Sequence, residues 1–335
     1  METSEYENAI LTTKPFKYLN IQELNIIIGY CRILTFDKNE ILYKQGKQND
    51  GMCIILKGSA LVFAKTLGKD VINLGTLDVG NFFGEVSLIQ KTSCAATVIT
   101  NEKTECLLMT ATYFDMLAVY YPEIRFKITK AINEEICQRL TTSYQTIKNI
   151  IVKTEITREP FPERFLKPKN KGIPEPTSFQ AARLHRNDLL RSHFFKNYTE
   201  NELDFLLKQS ELMNFAKDFT IIQQGEEHSS YYLVVRGAVQ LSIMSQNKKA
   251  KLTVLSPITI FGSLSFIINN PAMINFITCE RALLLKISEK NLHEIEKSNK
   301  ELWFKLYNSI CESFVAIERA ADKLMIRLNS ELYNR

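Results

Sequence analysis

The chain has 335 residues, which is enough for two domains of ordinary size. Hydrophobic residues make up 45% and charged residues 24%, a balance typical of globular proteins and not of disordered chains. The net charge of +5 is too small an excess to indicate nucleic-acid binding, and no apolar run approaches the roughly 20 residues that cross a bilayer.

The cysteines and histidines point to no metal centre or disulfide framework. The seven cysteines are scattered and never spaced as C-x-x-C, and the four histidines lack metal-ligand spacing. Reduced thiols, together with a polar N-terminus that does not resemble a secretory signal, favour a cytoplasmic location. Because the chain contains no G-x-S-x-G, H-E-x-x-H or phosphate-binding loop motif, we expect it not to be an enzyme.

In chain order, a polar tail at 1–14 is followed by a helical lead-in at 21–31 and a series of short strands. Glycines mark the turns between these strands: Gly46, Gly58, Gly68, Gly75 and Gly80. Apolar residues between 128 and 151 then recur every three or four positions, which predicts a closing helix. Many short strands without long intervening helices indicate a closed or double-sheet β architecture, assigned here to a first domain at 15–153.

The segment at 154–190 has a different composition and is predicted to be a linker. Five of the nine prolines lie between 160 and 176, among several lysines and arginines. Since proline fixes φ and blocks helix continuation, the segment is expected to be extended and stiff. A basic docking strip is the alternative function for the same residues.

The remainder of the chain repeats the first domain. The blocks at 41–46, 54–58 and 83–88 recur at 221–225, 233–237 and 261–266, with offsets of 179, 179 and 178 residues. Such a period is far too long for a solenoid and indicates a duplicated domain. We therefore predict a second domain at 191–335, with its own helical lead-in at 200–212.

A long amphipathic helix is predicted at the C-terminus. Its apolar residues follow an uninterrupted heptad seam, made by Trp303, Tyr307, Ile310, Phe314, Ile317, Ala321, Leu324 and Leu328. The first half is expected to pack on its own domain, with Trp303 as a packing residue and a ligand-covering lid as its alternative role. From Ile317 onward, the seam either continues on the same domain or contacts a partner or a second copy through Ile317, Leu324 and Leu328.

The stretch Gly80-Asn81-Phe82-Phe83-Gly84-Glu85-Val86-Ser87-Leu88, followed by 93–98, resembles the phosphate-binding cassette of cyclic-nucleotide-binding domains. This family includes the regulatory subunits of cAMP-dependent protein kinase. The resemblance implies a mainly β fold with flanking helices. Two tandem cyclic-nucleotide-binding β-rolls of the double-sheet jelly-roll type would each have a helical lead-in and closing helices.

The resemblance also implies a chemistry for the cassette. A short helix directs free N–H groups at the ligand phosphate, and a glutamate accepts a hydrogen bond from the ribose 2′-hydroxyl. An arginine about nine residues later holds the cyclic phosphate through charge-assisted bonds. The ligands that this pattern implies for the first domain are cAMP and cGMP.

The first copy matches this pattern in part. Gly84 and Glu85 occupy the glycine and glutamate positions, whereas Cys94 occupies the arginine position. The thiol is expected to be a small buried filler, with a redox-sensitive cysteine as the alternative. The predicted, degenerate first pocket consists of Gly84, Glu85, Val86, Ser87, Cys94 and Ala95.

The second copy has lost more of the pattern. Gly262 is retained, but Ser263 replaces the glutamate and Ala272 stands at the arginine position. No lysine or arginine lies between Lys251 and Arg281, so the sequence contains no local substitute. We therefore predict that the second pocket is a pseudo-site.

The chain thus resembles a kinase regulatory subunit without its docking domain and inhibitor segment, because about 15 residues precede the first domain and no Arg-Arg pair exists. A non-enzymatic interaction, structural or regulatory subunit is the favoured function. A ligand-gated sensor that binds cAMP, cGMP or a related nucleoside in the first domain is the alternative. A cytoskeletal or ciliary assembly is the alternative to a free cytoplasmic location.

Overall fold

The structure is a computed structural model, and it describes residues 10, 12–65, 71–153, 173–192, 194–246, 248–262 and 264–333. Contacts divide the chain into two compact units, and the change from one to the other falls between Ile136 and Cys137. We call them the first unit and the second unit.

The first unit consists of short strands with helices on either side in sequence. Its strands are β1 (Arg32–Phe36), β2 (Ile41–Tyr43), β3 (Gly51–Lys57), β4 (Ala60–Lys65), β5 (Val71–Leu77), β6 (Phe82–Phe83), β7 (Thr97–Thr100) and β8 (Thr104–Thr110). A 3-10 helix at Lys14–Phe16 precedes α1 (Ile21–Ile28), α2 (Glu85–Gln90), α3 (Ala111–Tyr120) and α4 (Pro122–Lys153), the last of which continues into the second unit.

Two antiparallel four-stranded sheets form the roll of the first unit, in the orders β1-β8-β3-β6 and β2-β7-β4-β5. Residues from both sheets meet in one apolar cluster: Cys53, Ile55, Ala60, Phe83, Val98, Cys106 and Leu108. The cluster includes the small side chains of Cys53, Ala60 and Cys106, and its burial holds the roll together.

The lead-in and closing helices have specific starting signals. Asn20 begins α1 with a capping box, in which its side chain accepts from the Glu23 N–H and the Glu23 carboxylate accepts from the Asn20 N–H. The Thr110 side chain caps α3 by accepting a single hydrogen bond from the Tyr113 N–H. An ion pair of 2.6 Å between Glu23 and Lys127 joins α1 to the closing helix α4.

The second unit repeats the same elements. Its strands are β9 (Glu175–Pro176), β10 (Glu211–Phe215), β11 (Thr220–Ile222), β12 (Ser230–Arg236), β13 (Val239–Ser245), β14 (Lys248–Leu255), β15 (Ile260–Gly262), β16 (Asn275–Thr278) and β17 (Ala282–Ser288). Its helices are α5 (Arg186–Leu190), α6 (Glu200–Lys208), α7 (Ser265–Ile268), α8 (Glu289–Ser298) and α9 (Lys300–Tyr333).

The strand orders of the second unit, β9-β10-β17-β12-β15 and β11-β16-β13-β14, reproduce those of the first unit with β9 added at one edge. The predicted fold class, two mainly β rolls with lead-in and closing helices, is therefore confirmed. The predicted lead-in helix at 200–212 is shorter than expected and ends at Lys208, because 211–215 pair with β17 as β10.

The second roll has aromatic rings at two positions, Tyr232 and Phe276, where the first has Cys53 and Val98, whereas Tyr43 of the first roll corresponds to Ile222. Tyr232 pairs with Phe261 as Cys53 pairs with Phe83, and Phe276 pairs with Ile222 as Val98 pairs with Tyr43. Tyr232 stacks on Phe261 at 5.4 Å, and Phe261 on Phe276 at 5.1 Å between ring centroids. Stacked rings of this kind add to the stability that their buried area provides.

The heptad seam of α9 is buried along its whole length, since all eight of its residues are at most 4% exposed. The C-terminal part of α4 belongs to the same unit as α9 and contacts this seam region, where Arg139 forms an ion pair with Glu318. Of the two alternatives for Ile317, Leu324 and Leu328, the structure contradicts a free surface: these side chains are covered by the chain itself.

Most of the predicted tail (1–9 and 11) and of the predicted linker (154–172) lies outside the described residues. The described end of the linker is structured, because Glu175 and Pro176 form β9 and pair with Asn214 and Met213 of β10. The predicted domain limits at 153 and 191 stay predictions.

Candidate functional site

The cassette of the first unit begins with a sharp turn at Gly84. Its φ of +89° is left-handed, and it directly precedes the short helix α2, whose first residue is Glu85. Glycine adopts this conformation without the strain that a Cβ atom would cause. The turn therefore places the N-terminus of α2 immediately after strand β6, as a phosphate-binding cassette requires.

Close packing imposes a second requirement for glycine at position 84. A Cβ atom there would lie 2.5 Å from the carbonyl oxygen of Gly51 and 2.5 Å from the ring of Tyr43. The Tyr43 hydroxyl donates to the Gly51 carbonyl at 2.8 Å, which fixes the ring against the turn. The sequence pattern identified Gly84, but it contained no signal for the contact with Tyr43.

The predicted pocket residues on α2 are partly or wholly buried. Glu85 is 4% exposed and lies in the first turn of the helix, where its negative charge interacts favourably with the helix dipole. Ser87 is also buried, whereas Val86 and Ala95 are half-buried. The structure thus has a buried carboxylate at position 85, and the assignment of this side chain to the ribose stays a prediction.

Cys94 occupies the arginine position as a buried neutral thiol. It is 8% exposed, and its side chain is hydrogen-bonded to that of Ser87. Burial raises the pKa of the thiol above its ordinary value and outweighs the opposing effect of the Ser87 hydrogen bond. Since a reactive cysteine needs a lowered pKa, these surroundings favour the small buried filler over the redox-sensitive thiol.

The basic residue nearest to Cys94 in sequence, Lys91, forms an ion pair with a residue outside the cassette. The Lys91 ammonium lies 2.7 Å from the carboxylate of Asp115 on α3. Both side chains are well exposed, so this ion pair contributes little to stability. The pair nevertheless directs Lys91 towards α3.

The loop that carries residue 272 in the second cassette has the same backbone hydrogen bonds as the loop that carries Cys94 in the first. The Cys94 N–H donates to the carbonyl of Lys47 at 2.8 Å, and the Ala272 N–H donates to that of Glu226 at 2.9 Å. Both residues also accept from a turn glycine, Gly46 or Gly225. Cys94 and Ala272 are therefore equivalent positions, as the sequence offset predicted, and neither has a side chain that can hold a phosphate by charge.

Gly262 and Ala272 of the predicted second pocket are both buried. Gly262 is buried at the end of β15, and the ring of Tyr231 lies 2.6 Å from where its Cβ atom would be. Ala272 is 4% exposed. The predicted residue Ser263 lies outside the described residues.

Other sequence candidates have structural positions as well. Trp303 is 3% exposed in α9 and contacts Tyr307 edge-on at 5.4 Å, which favours its role as a packing residue.

All seven cysteines are free thiols. Among the described residues, no cluster of histidine, cysteine or acidic side chains has an arrangement that could hold a metal ion. No helix in the described ranges combines the length and apolar character needed to span a membrane.

Parts of known proteins are similar in sequence to parts of this chain. The mouse cGMP-dependent protein kinase 2 is 28% identical over 123 residues, which are 36% of this chain and 16% of the kinase. The cAMP-dependent protein kinase regulatory subunit of Candida albicans is 24% identical over 153 residues, 44% of this chain and 32% of the subunit. The chain thus matches less than a third of the length of either relative.

Solved structures with a similar chain course include the cAMP-bound regulatory domain of Toxoplasma gondii protein kinase A, which is 14% identical with a TM-score of 0.33. The alignment covers 89% of this chain and 93% of that one. A regulatory subunit of a cAMP-independent protein kinase A from Trypanosoma brucei is 15% identical with a TM-score of 0.32, over 90% of this chain and 93% of that one.

The family comparison rests on sequence and covers both repeats. The family described as cyclic nucleotide-binding domain matches residues 33–120 and 212–299, which are the two rolls and the start of their closing helices. These segments make up more than half of the chain, and the protein belongs to the cyclic nucleotide-binding domain family.

Proposed function

We propose that this protein is a regulatory or interaction subunit, acting through contacts with other proteins and not through catalysis, in which the second domain is a pseudo-site. The observation that carries the proposal is the pair of equivalent positions Cys94 and Ala272. Both replace the arginine that holds the phosphate, and both side chains are buried and uncharged at neutral pH.

The energetic consequence follows from the strength of the missing bonds. A hydrogen bond to a charged partner contributes about 1.5–3 kcal/mol, so loss of the arginine weakens cyclic-nucleotide binding by about 10- to 100-fold. The second domain has an alanine at 272 and a serine at the glutamate position 263, and thus lacks both anchoring side chains.

A ligand-gated sensor is the second candidate, and one observation favours it. Glu85 lies in the first turn of α2 and is 4% exposed, which supports this candidate because it supplies a carboxylate at the position predicted to bind the ribose. A ligand recognised mainly through its ribose, such as a nucleoside, would depend less on the missing arginine than cAMP or cGMP does. This candidate confines ligand binding to the first domain.

The location belongs to the same proposal. Seven free cysteines, several of them buried in the rolls, are compatible with a reducing cytoplasm. A cytoskeletal or ciliary assembly is the alternative setting for an interaction subunit of this kind. The interaction surface does not include the buried side chains of Ile317, Leu324 and Leu328.

Calorimetric titration of the full chain with cAMP, cGMP and adenosine tests the proposal. We expect cyclic nucleotides to bind with dissociation constants above about 1 μM, or not at all. Sub-micromolar binding of cAMP or cGMP would contradict the subunit proposal. Saturable binding of adenosine at one site per chain, abolished by Glu85→Gln, would support the sensor instead.

A further inference from the structure

A cavity of about 460 Å³ opens on the smaller sheet of the second unit, away from the cassette. Gln240 and Ile277 form its floor, and Lys249, Lys251 and Asp218 bring charged groups to it. Such a concave surface with a few convergent polar groups is the usual form of a ligand site.

The register of the sheet places this cavity on the outer face. Gln240 and Ile277 lie directly opposite each other across β13 and β16, and so do their neighbours Leu241 and Phe276. Leu241 and Phe276 are buried, and Phe276 stacks on Phe261 inside the roll. Because successive side chains of a strand point to opposite faces, Gln240 and Ile277 face away from the roll interior.

The charged groups of the cavity are incompletely paired. Lys249 is half-buried, and burial lowers the pKa of its ammonium while the Asp218 carboxylate acts in the opposite direction. Among the described residues, neither the Lys249 nor the Lys251 ammonium forms an ion pair or a hydrogen bond. An ammonium that is partly removed from water without a close partner is unfavourable, and a bound anion would relieve that cost.

We infer that this outer cavity binds a phosphate-bearing ligand between Lys249 and Lys251. Two ammonium groups suit a dianion better than a single carboxylate, and lysine acts as a point-charge donor to phosphate. The cavity is larger than a bare phosphate, so Ile277 and the Gln240 amide are available to the organic body of the ligand. The site is independent of both cassettes and of their cyclic nucleotides.

A substitution at Asp218 should change ligand affinity in the direction opposite to substitutions at the two lysines. Its carboxylate competes with the ligand for Lys249 and repels a phosphate, so Asp218→Asn is expected to strengthen binding. The backbone of Asp218 is left-handed, with a φ of +61°, a conformation that asparagine also tolerates. The substitution therefore removes the charge without straining the turn.

Phenyl phosphate, which joins a dianion to a small apolar body, is the probe for the full chain, with binding measured by phosphorus NMR and calorimetry. We expect one site per chain, weakened about tenfold or more by Lys249→Met and by Lys251→Met and strengthened by Asp218→Asn. Lys297→Met on α8 is the matched control, because that lysine is exposed, as Lys251 is, but lies outside the cavity, and the variant should bind as the wild type does. The same titration with a short phosphotyrosine peptide distinguishes the two sources of phosphate. Tighter binding than that of phenyl phosphate would indicate a phosphate carried by a protein, and weaker binding would indicate a small free ligand.

The inference is overturned if folded wild-type protein does not bind phenyl phosphate, or if the two lysine variants bind it unchanged. Weaker binding by Asp218→Asn would overturn it as well. The fold of each variant is checked by the fluorescence of Trp303. As an independent measurement, phenyl phosphate should protect Lys249, and not Lys297, from acylation detected by mass spectrometry.

Discussion

Arg139 of α4 and Glu318 of α9 join two long helices through a bidentate ion pair. The Arg139 Nε lies 2.6 Å from the Glu318 Oε1, and its Nη2 lies 3.2 Å from Oε2. The Glu318 side chain is 7% exposed and that of Arg139 38%, so the carboxylate depends on the guanidinium more than the reverse. The pair shows that α4, which begins in the first unit, ends as part of the second.

Arg139→Met is expected to destabilise the second unit by about 1–3 kcal/mol. The substitution takes the charged partner away from a buried carboxylate, and the partial exposure of Arg139 keeps the loss below that of a fully buried pair. Urea unfolding followed by the fluorescence of Trp303, the single tryptophan, reports on α9 directly. The double variant Arg139→Met with Glu318→Leu should recover part of the loss, and an equal or larger loss would contradict this account.

Gly84→Ala is expected to destabilise the first unit by about 2 kcal/mol or more, because a left-handed turn and a crowded surrounding act together. The matched control is Gly80→Ala, since Gly80 has a similar φ of +83° but open space where its Cβ atom would lie. The control should cost only about 1 kcal/mol. The loss of stability in each variant is measured by hydrogen exchange of the backbone amides in β3 and β6. Equal losses for the two substitutions would contradict the claim that crowding by Gly51 and Tyr43 adds to the cost at Gly84.

The fold was predictable from the sequence because it depends on repeated patterns. Glycines at the turns, apolar strands and a constant offset of 178–179 residues identify two copies of one roll. The boundary between the two units was not predictable from the sequence, because it falls inside the continuous helical pattern of α4. The residues after Ile136 belong to the second unit through contacts such as that of Arg139 with Glu318, which lie 179 residues apart in sequence.

The positions of the cassette residues were likewise predictable, because they follow from a local sequence motif. The positions of Gly84, Glu85 and Cys94 follow from spacing, and equivalent backbone bonds at Cys94 and Ala272 bear the alignment out. The burial of the C-terminal seam, the contact of Tyr43 with Gly84 and the outer cavity at Lys249 depend on residues distant in sequence. A single sequence contains no periodic signal for contacts of that kind.

His228 is expected to make the stability of the second unit dependent on pH between about 4 and 6.5. Burial and the nearby positive charge of Lys286 lower its pKa to about 4, against about 6.5 in the unfolded chain. The unfolded state therefore binds a proton first as the pH falls. The contribution of neutral His228 is complete above about pH 6.5 and is lost as the pH approaches 4.

Urea unfolding of the full chain at a series of pH values, followed by Trp303 fluorescence, measures this dependence. His228→Asn supplies the residue found at the equivalent position of the first domain, Asn49, and should flatten the loss of stability between pH 6.5 and 4. His185→Asn is the control, because His185 is exposed just before α5 and forms no ion pair among the described residues, and it should leave the slope in place. An unchanged slope in the His228 variant would rule out this histidine as its source.

Cys94→Arg is expected to raise the affinity of the first domain for cAMP by about 10- to 100-fold, because it supplies one charge-assisted contact to the phosphate beside the retained Glu85. Adenosine, which carries no phosphate, should bind the variant no better than the wild type. Ala272→Arg introduces the same side chain at the equivalent position of the second domain, where residue 263 is serine, and should gain much less. Calorimetry gives all three values, and thermal unfolding shows whether each variant is folded. If a folded Cys94→Arg protein bound cAMP no more tightly than the wild type, the loss of the arginine would not be what limits the first pocket.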